Sequence, residues 1–267
     1  MTYAIARRAV LAGLAASALA APALAASPFR QAGTGAGPDY AVLDGLLAGY
    51  VRSPGDGINR VDYRAWKTEA HDTLKQAISV LEAARPSGMA RDHQFAYWVN
   101  LYNARTIDIV LDHYPVRSIR DIALGGGLFG RGPWKADVLN VEGVALSLDD
   151  VEHAILRPVW GDARVHYAVN CASRGCPNLE PRAFRASGLS ARLDAAAHAY
   201  VNHPRGVSVG EGGVTASRIY DWFATDFGGR NGVERHWRDY AGDPLRQRLD
   251  GATSRIRYAY DWALNDA

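Results

Sequence analysis

The sequence predicts an α+β fold: a single domain of helices packed on a small, mainly antiparallel sheet with hairpins. Three observations predict it. Helix-spaced apolar stripes recur along the chain, as at Leu74, Ile78 and Leu81. Two short stretches surround glycine-containing turns, Glu142-Gly143 and Gly210-Glu211-Gly212-Gly213, and read as hairpins. The elements show no regular strand–helix–strand alternation, so a parallel βαβ sheet is not expected.

Composition narrows the classes. The chain has 267 residues, 48% hydrophobic and 22% charged, a mix that argues against disorder, a collagen-like chain or a membrane bundle. Thirty Lys and Arg stand against 28 Asp and Glu. Two of the basic residues, Arg7 and Arg8, lie in the leader, so the body beyond it is neutral. It lacks the basic footprint that nucleic-acid binding needs.

Met1 to Ala25 carries Arg7-Arg8, an apolar run from Ala9 to Leu14, an alanine-rich stretch and Ala23-Leu24-Ala25. A positive start, a short apolar centre and a small-residue cleavage site make an export signal, with the cut expected after Ala25. Paired arginines before a weakly hydrophobic centre resemble a twin-arginine signal; a general secretory signal carrying two arginines is the alternative. The run is too short and alanine-rich for a spanning helix, which needs about 20 apolar residues. No other stretch reads as a transmembrane segment, and no cysteine near the cut offers a lipid anchor. The expected location is the periplasm or outside the cell. Residues 26–39 are small, Gly-rich and Pro-containing and read as a flexible lead-in to a single domain over 40–267.

Within that domain, Val42, Leu43, Leu46, Leu47 and Tyr50 are spaced for a helix over Tyr40 to Val51. Ser53 to Gly57 is a turn cluster. A second helix is expected from Ala70 to Ala84. After Pro86-Ser87-Gly88 a long helix runs to about His113, stopped by Pro115. Leu124 to Pro133 is glycine-heavy and reads as a mobile loop. It lacks the Gly-Lys-Ser/Thr ending of a phosphate-binding loop, and no dinucleotide fingerprint is present, so no cofactor is expected.

Val138 to Ala145 is the first hairpin. Ser147 then caps a short helix, with Asp150 three residues on and Leu146 and Val151 as a hydrophobic staple; Pro158 ends it. Arg164 to Asn170 alternates and reads as a strand. A helix covers Leu189 to Val201, and Gly206 to Ala216 is the second hairpin. Ser217–Phe227, Asn231–Tyr240 and Pro244–Leu249 read as short helices closed by Gly228, Gly242 and Gly251. Alternation from Ile256 to Leu264 predicts a final strand.

The chemistry-bearing residues concentrate around the two cysteines, Cys171 and Cys176, which share one loop after the expected strand. Three readings stay open. An exported protein with an even cysteine count usually oxidises the pair; a disulfide here would add roughly 2 kcal/mol. Alternatively, Cys171 is a nucleophile with His166 as base and Glu152 or Asn100 as orienter. On a regular strand positions 166 and 171 face opposite sides, so that pairing requires the strand to end or bulge near Asn170. The third reading is a metal site of Cys171, Cys176 and a histidine, although the spacing is wide for zinc.

Asn100 and Asn103 sit three apart on one face of the long helix, where asparagine is unfavourable unless its amide bonds a neighbouring element. His153 lies beside Glu152 on the capped helix. His93, His113, His198, His203 and His236 read as surface or capping residues. Tyr258, Tyr260 and Trp262 read as core at strand spacing, with a ring-binding platform as the alternative.

Five blocks together resemble a known family: Phe95 to Ala104, His113 to Asp121, Leu146 to His153, His166 to Pro177 and Tyr260 to Asn265. They are similar to the domain-of-unknown-function 547 family, with a match expected from about Leu43 to the C-terminus. The resemblance implies one domain and carries no activity. Its blocks hold Asn100, Asn103, Glu152, His153, His166, Cys171 and Cys176. The functional expectation is a thiol-dependent hydrolase or acyl transferase, with Asn103, His153 and Asn170 in support. A non-catalytic binding or scaffold protein with a disulfide-stapled loop is the rival, and a metal-binding protein the third option. Expected partners are a small molecule or an envelope peptide.

Overall fold

The computed structural model describes residues 29–124, 132–251 and 255–267. The leader and most of the glycine-heavy loop fall outside them. At the centre lies a long helix buried on nearly every side. The chain enters through helix α1 (Ala41–Tyr50) and a two-stranded hairpin, β1 (Val51–Arg52) with β2 (Arg60–Val61). Helices α2 (Tyr63–Glu69) and α3 (His71–Glu82) follow. The central helix is α4 (Arg91–His113). Leu74, Ile78 and Leu81 of α3 are buried at the predicted spacing. The α4 residues from Gln94 to Ala104 are all buried, which explains why its sequence shows no clean polar face. Neither the β1–β2 hairpin nor α2 has a sequence signal; they are too short to show periodicity.

Residues 29–39, expected as a flexible lead-in, are mostly exposed but tied to this core at a few points. Phe29 is fully buried edge-on against Trp98, and the amides of Gly33 and Gly35 donate to the carbonyls of Met89 and Gly88.

β3 (Leu139–Val141) and β4 (Val144–Leu146) form the first hairpin. Ser147 and Asp150 then exchange the predicted cap: the Asp150 amide donates to Ser147 Oγ at 3.0 Å, and the Ser147 amide donates to Asp150 Oδ2 at 2.9 Å. Pro158 does not end this helix. A π-helical segment, Asp150–Leu156, runs directly into α5 (Arg157–Trp160), so the helix passes through Pro158. The stop is Gly161, in the left-handed conformation at φ 60°.

The expected strand over Arg164–Asn170 is absent. Ala163–Tyr167 is a 3-10 turn capped by Asp162, whose side chain accepts from the Arg164 amide. The segment is buried on both sides from Val165 to Asn170, and among the described residues no strand pairs with it. Its backbone partner is a side chain. Asn103 Nδ2 donates to the Ala168 carbonyl at 2.9 Å, and Asn103 Oδ1 accepts from the Asn170 amide at 2.8 Å.

A second apolar cluster occupies the C-terminal part. Helix α6 (Leu189–Asn202) packs beside a sheet of β5 (Val207–Gly210), β6 (Gly213–Ser217) and β7 (Ile256–Ala259). β5 and β6 pair antiparallel, β6 and β7 parallel. Helices α7 (Ile219–Trp222), α8 (Gly229–Tyr240) and α9 (Asp243–Asp250) complete it.

The predicted last strand stops at Ala259, short of Leu264. Beyond it the tail leaves the sheet and is stitched across the cysteine loop. Gly175 and Arg174 amides donate to the carbonyls of Asp261 and Ala263, and the Asn265 amide donates to that of Ala172. The architecture is α+β, with small, mainly antiparallel sheets.

Candidate active site at the junction of the two apolar clusters

Where the two clusters meet lies a cavity of about 200 Å³. It is lined by Cys171, Cys176 and Tyr260, by Glu152, His153 and His166, and by an aromatic rim of Trp134, Trp222, Phe223 and Trp262. The Asn103-bonded segment delivers His166 and the cysteine loop, the capped helix delivers Glu152 and His153, and the tail delivers Tyr260 and Trp262.

The cysteine loop is held by its own hydrogen bonds. Asn170 Nδ2 donates to the Pro177 carbonyl and Asn170 Oδ1 accepts from the Ala172 amide, both at 2.8 Å. This clasp accompanies a left-handed Ala172 at φ 58°. Tyr200 OH donates to the Gly175 carbonyl at 2.6 Å. The expected disulfide is not present. Both cysteines are free thiols with sulfurs 2.7 Å apart, beyond the roughly 2.05 Å of an S–S bond. Hydrogen bonds do the pinning that the disulfide was expected to do.

The two thiols have different surroundings. Cys176 Sγ accepts from the Cys171 backbone N–H at 3.0 Å and from Tyr260 OH at 3.2 Å. Burial pushes its pKa up, but these donors and the Cys171 thiol outweigh burial and hold it below the ordinary thiol value. The Cys171 thiol is pushed well up, first by its hydrogen bond to Cys176 and then by burial. The hydrogen-bond donors around Cys176 thus favour its thiolate over that of Cys171.

His166 is in the cavity but not on the sulfur. Cys171 Sγ contacts Cys176, Ser173 Oγ at 3.3 Å and Tyr260 OH at 3.2 Å, with no imidazole among its partners. The imidazole stacks on Phe223 at 4.0 Å between centroids, and its Nε2 donates to Asp226 Oδ2 at 2.7 Å. Its Nδ1 lies 3.8 Å from Glu152 Oε1. Burial lowers its pKa, so the ring is neutral near pH 7. Asp226 also takes a two-pronged bond from Arg157, at 2.6 and 2.9 Å. Burial alone would raise the Asp226 pKa; its bonds to His166 and Arg157 hold it far below the usual carboxylate range.

Glu152 is buried, and Tyr102 OH donates to its Oε2 at 3.2 Å. Burial pushes its pKa up from the ordinary carboxylate value. His153 sits at the mouth, beside Arg157 Nη1 at 3.1 Å.

Asn100 does not reach this site and cannot orient His166. Both ends of its amide are bound to the backbone of Phe184, at 2.9 and 2.7 Å. It anchors a loop, as a buried mid-helix amide does. Asp226, in the turn between α7 and α8, carried no sequence signal, and Tyr102 fell within the Phe95 to Ala104 block without being singled out. His236, read as surface or capping, lies partly buried with Nε2 2.8 Å from Tyr167 OH. Among the described residues, the one set of three potential metal-ligating side chains is His71, Asp108 and Asp112, away from the cysteines. Lys75 and Arg105 already pair with its carboxylates.

No curated protein and no solved structure matches the chain. Residues 86–201 match the family model described as "Protein of unknown function, DUF547". That span holds α4, the capped helix and the cysteine loop, but not Asp226 or Tyr260. Over that span the chain resembles the domain-of-unknown-function 547 family.

Proposed function

We propose that the cavity is the active site of a thiol-dependent hydrolase or acyl transferase. The observation that carries this reading is one cavity lined by a thiol pair in contact and by a buried carboxyl group, Glu152, whose pKa burial pushes up. The nucleophile is Cys176 rather than Cys171, since the Cys176 sulfur holds its charge through hydrogen-bond donors and needs no histidine base. Its thiolate adds to a carbonyl carbon. The bond to the leaving oxygen or nitrogen then breaks, and Glu152 supplies the proton that the leaving group takes. The resulting thioester is attacked by water or an acceptor nucleophile. The Glu152 carboxylate takes that proton, and the thiolate leaves. His166, fixed by Asp226 and Phe223, is a positioning group beside Glu152.

A cavity of about 200 Å³ admits a small acyl group or one peptide side chain. The proposed setting is the periplasm or the exterior, resting on the Arg7-Arg8 leader; the proposed substrates are small molecules or envelope peptides. Among the described residues, no helix is long and apolar enough to cross a membrane.

The test is turnover of a panel of p-nitrophenyl esters and peptide anilides by reduced protein. Turnover lost on alkylation and in Cys176→Ser, and reduced about 100-fold in Glu152→Gln with alkylation intact, supports the reading. Absence of any thiol-dependent turnover across the panel overturns it.

A further inference from the structure

The thiol pair has a property that acyl transfer does not use. Nucleophilic catalysis needs one sulfur, and here two are in contact inside a cavity that opens to solvent. Their separation is maintained by the Asn170 clasp and by tail and Tyr200 contacts to Gly175, with no S–S bond required. Closing the bond therefore demands little ordering of the chain, which is the main entropic obstacle to joining two free cysteines.

We propose that Cys171 and Cys176 form a dithiol–disulfide exchange centre that takes disulfides of small thiols or of extended peptides as its co-substrate. The Cys176 thiolate attacks one sulfur of R–S–S–R; that bond breaks, and RS⁻ leaves and takes a proton from water. The Cys171 sulfur then attacks Cys176 Sγ in the mixed disulfide, the bond from Cys176 Sγ to the second sulfur of the substrate breaks, and the RS⁻ that leaves takes the proton that Cys171 gives up. Two electrons pass from the protein to the substrate, which becomes two thiols, and the protein gains one S–S bond. Two external thiols reverse the sequence. Tyr260 OH, within 3.2 Å of both sulfurs, stabilises the attacking thiolate and the thiolate that leaves Cys176 in the reverse direction. The exchange rests on the sulfur pair alone and stands apart from the acyl-transfer reading; where both operate, oxidation removes the nucleophile.

The experiment mixes reduced full-length protein with excess oxidised glutathione at pH 7, and separately with a short peptide bearing a linear disulfide, followed by intact mass. The expected product is protein with both thiols lost and no adduct. Cys171→Ser is expected to stop at one stable adduct on Cys176. Cys176→Ser and Tyr260→Phe are expected to react about tenfold slower, through loss of the stabilised thiolate. Reaction with one disulfide class alone assigns the source. Two thiols persisting in both arms, a wild type that stops at the adduct, or a rate unchanged in Cys176→Ser overturns the proposal. Ester turnover is measured under reductant, so its failure with intact exchange removes only the acyl-transfer reading, and the converse removes only this one.

Discussion

The backbone amide of Cys171 donates to the sulfur of Cys176 at 3.0 Å, so one cysteine uses its main chain to stabilise the other's negative charge. The residue first expected to attack is thereby a donor to the residue proposed as nucleophile. Cys176 should alkylate with iodoacetamide at pH 7 about tenfold faster than Cys171, with an inflection below the ordinary thiol value of about 8.5. Peptide mapping of the labelled protein reads both quantities, and preferential labelling of Cys171 would reverse the assignment.

Asp226 supports His166 and Arg157 but touches neither sulfur. Asp226→Asn should cost about 1–3 kcal/mol in urea unfolding, the worth of charged hydrogen bonds, while leaving the alkylation rate of the pair within about twofold. A Cys–His dyad would instead lose its thiolate when the histidine is released. A large drop in alkylation would therefore restore His166 as base.

Asn103 and Asn100 sit on one helix but serve different loops. Replacing either by Ala orphans buried backbone groups and should cost about 2–4 kcal/mol. Only Asn103→Ala should loosen the segment leading into Cys171 and speed hydrogen exchange at Asn170. Equal exchange in the two variants would argue against the Asn103 clasp.

Burial holds His236 at about 4, against about 6.5 in an unfolded chain. Between these values the unfolded chain binds a proton that the folded protein refuses. Stability from this group is thus complete above about pH 6.5 and is lost as pH falls toward 4. Urea midpoints measured across that window should fall with pH, and His236→Asn should flatten the slope. An unchanged slope would place the proton elsewhere.

At Gly175 a Cβ would meet the backbone oxygen of Asp261 at 2.8 Å and its nitrogen at 2.9 Å. Gly175→Ala should therefore push the C-terminal tail off the cysteine loop. The expected loss is about 1–3 kcal/mol, with both thiols more reactive toward a bulky maleimide. Unaltered thermal melting would show that the junction yields without cost.

The long central helix, the two glycine-turn hairpins and the Ser147–Asp150 cap were legible in the residues because each depends on neighbours within a few positions. Periodic burial and capping are local, and they leave a local pattern. The same logic misled at Arg164–Asn170, where apolar and polar residues alternate in a segment buried throughout, and where the Asn103 amide replaces the strand that alternation implied. The residue types of the site were visible, and so was their clustering near the cysteine loop. Which sulfur carries charge, what holds His166, the exclusion of Asn100 and the arrival of Asp226 and Tyr260 depended on contacts between segments far apart in the chain. Such contacts follow from how two apolar clusters pack, and no spacing within one segment encodes them.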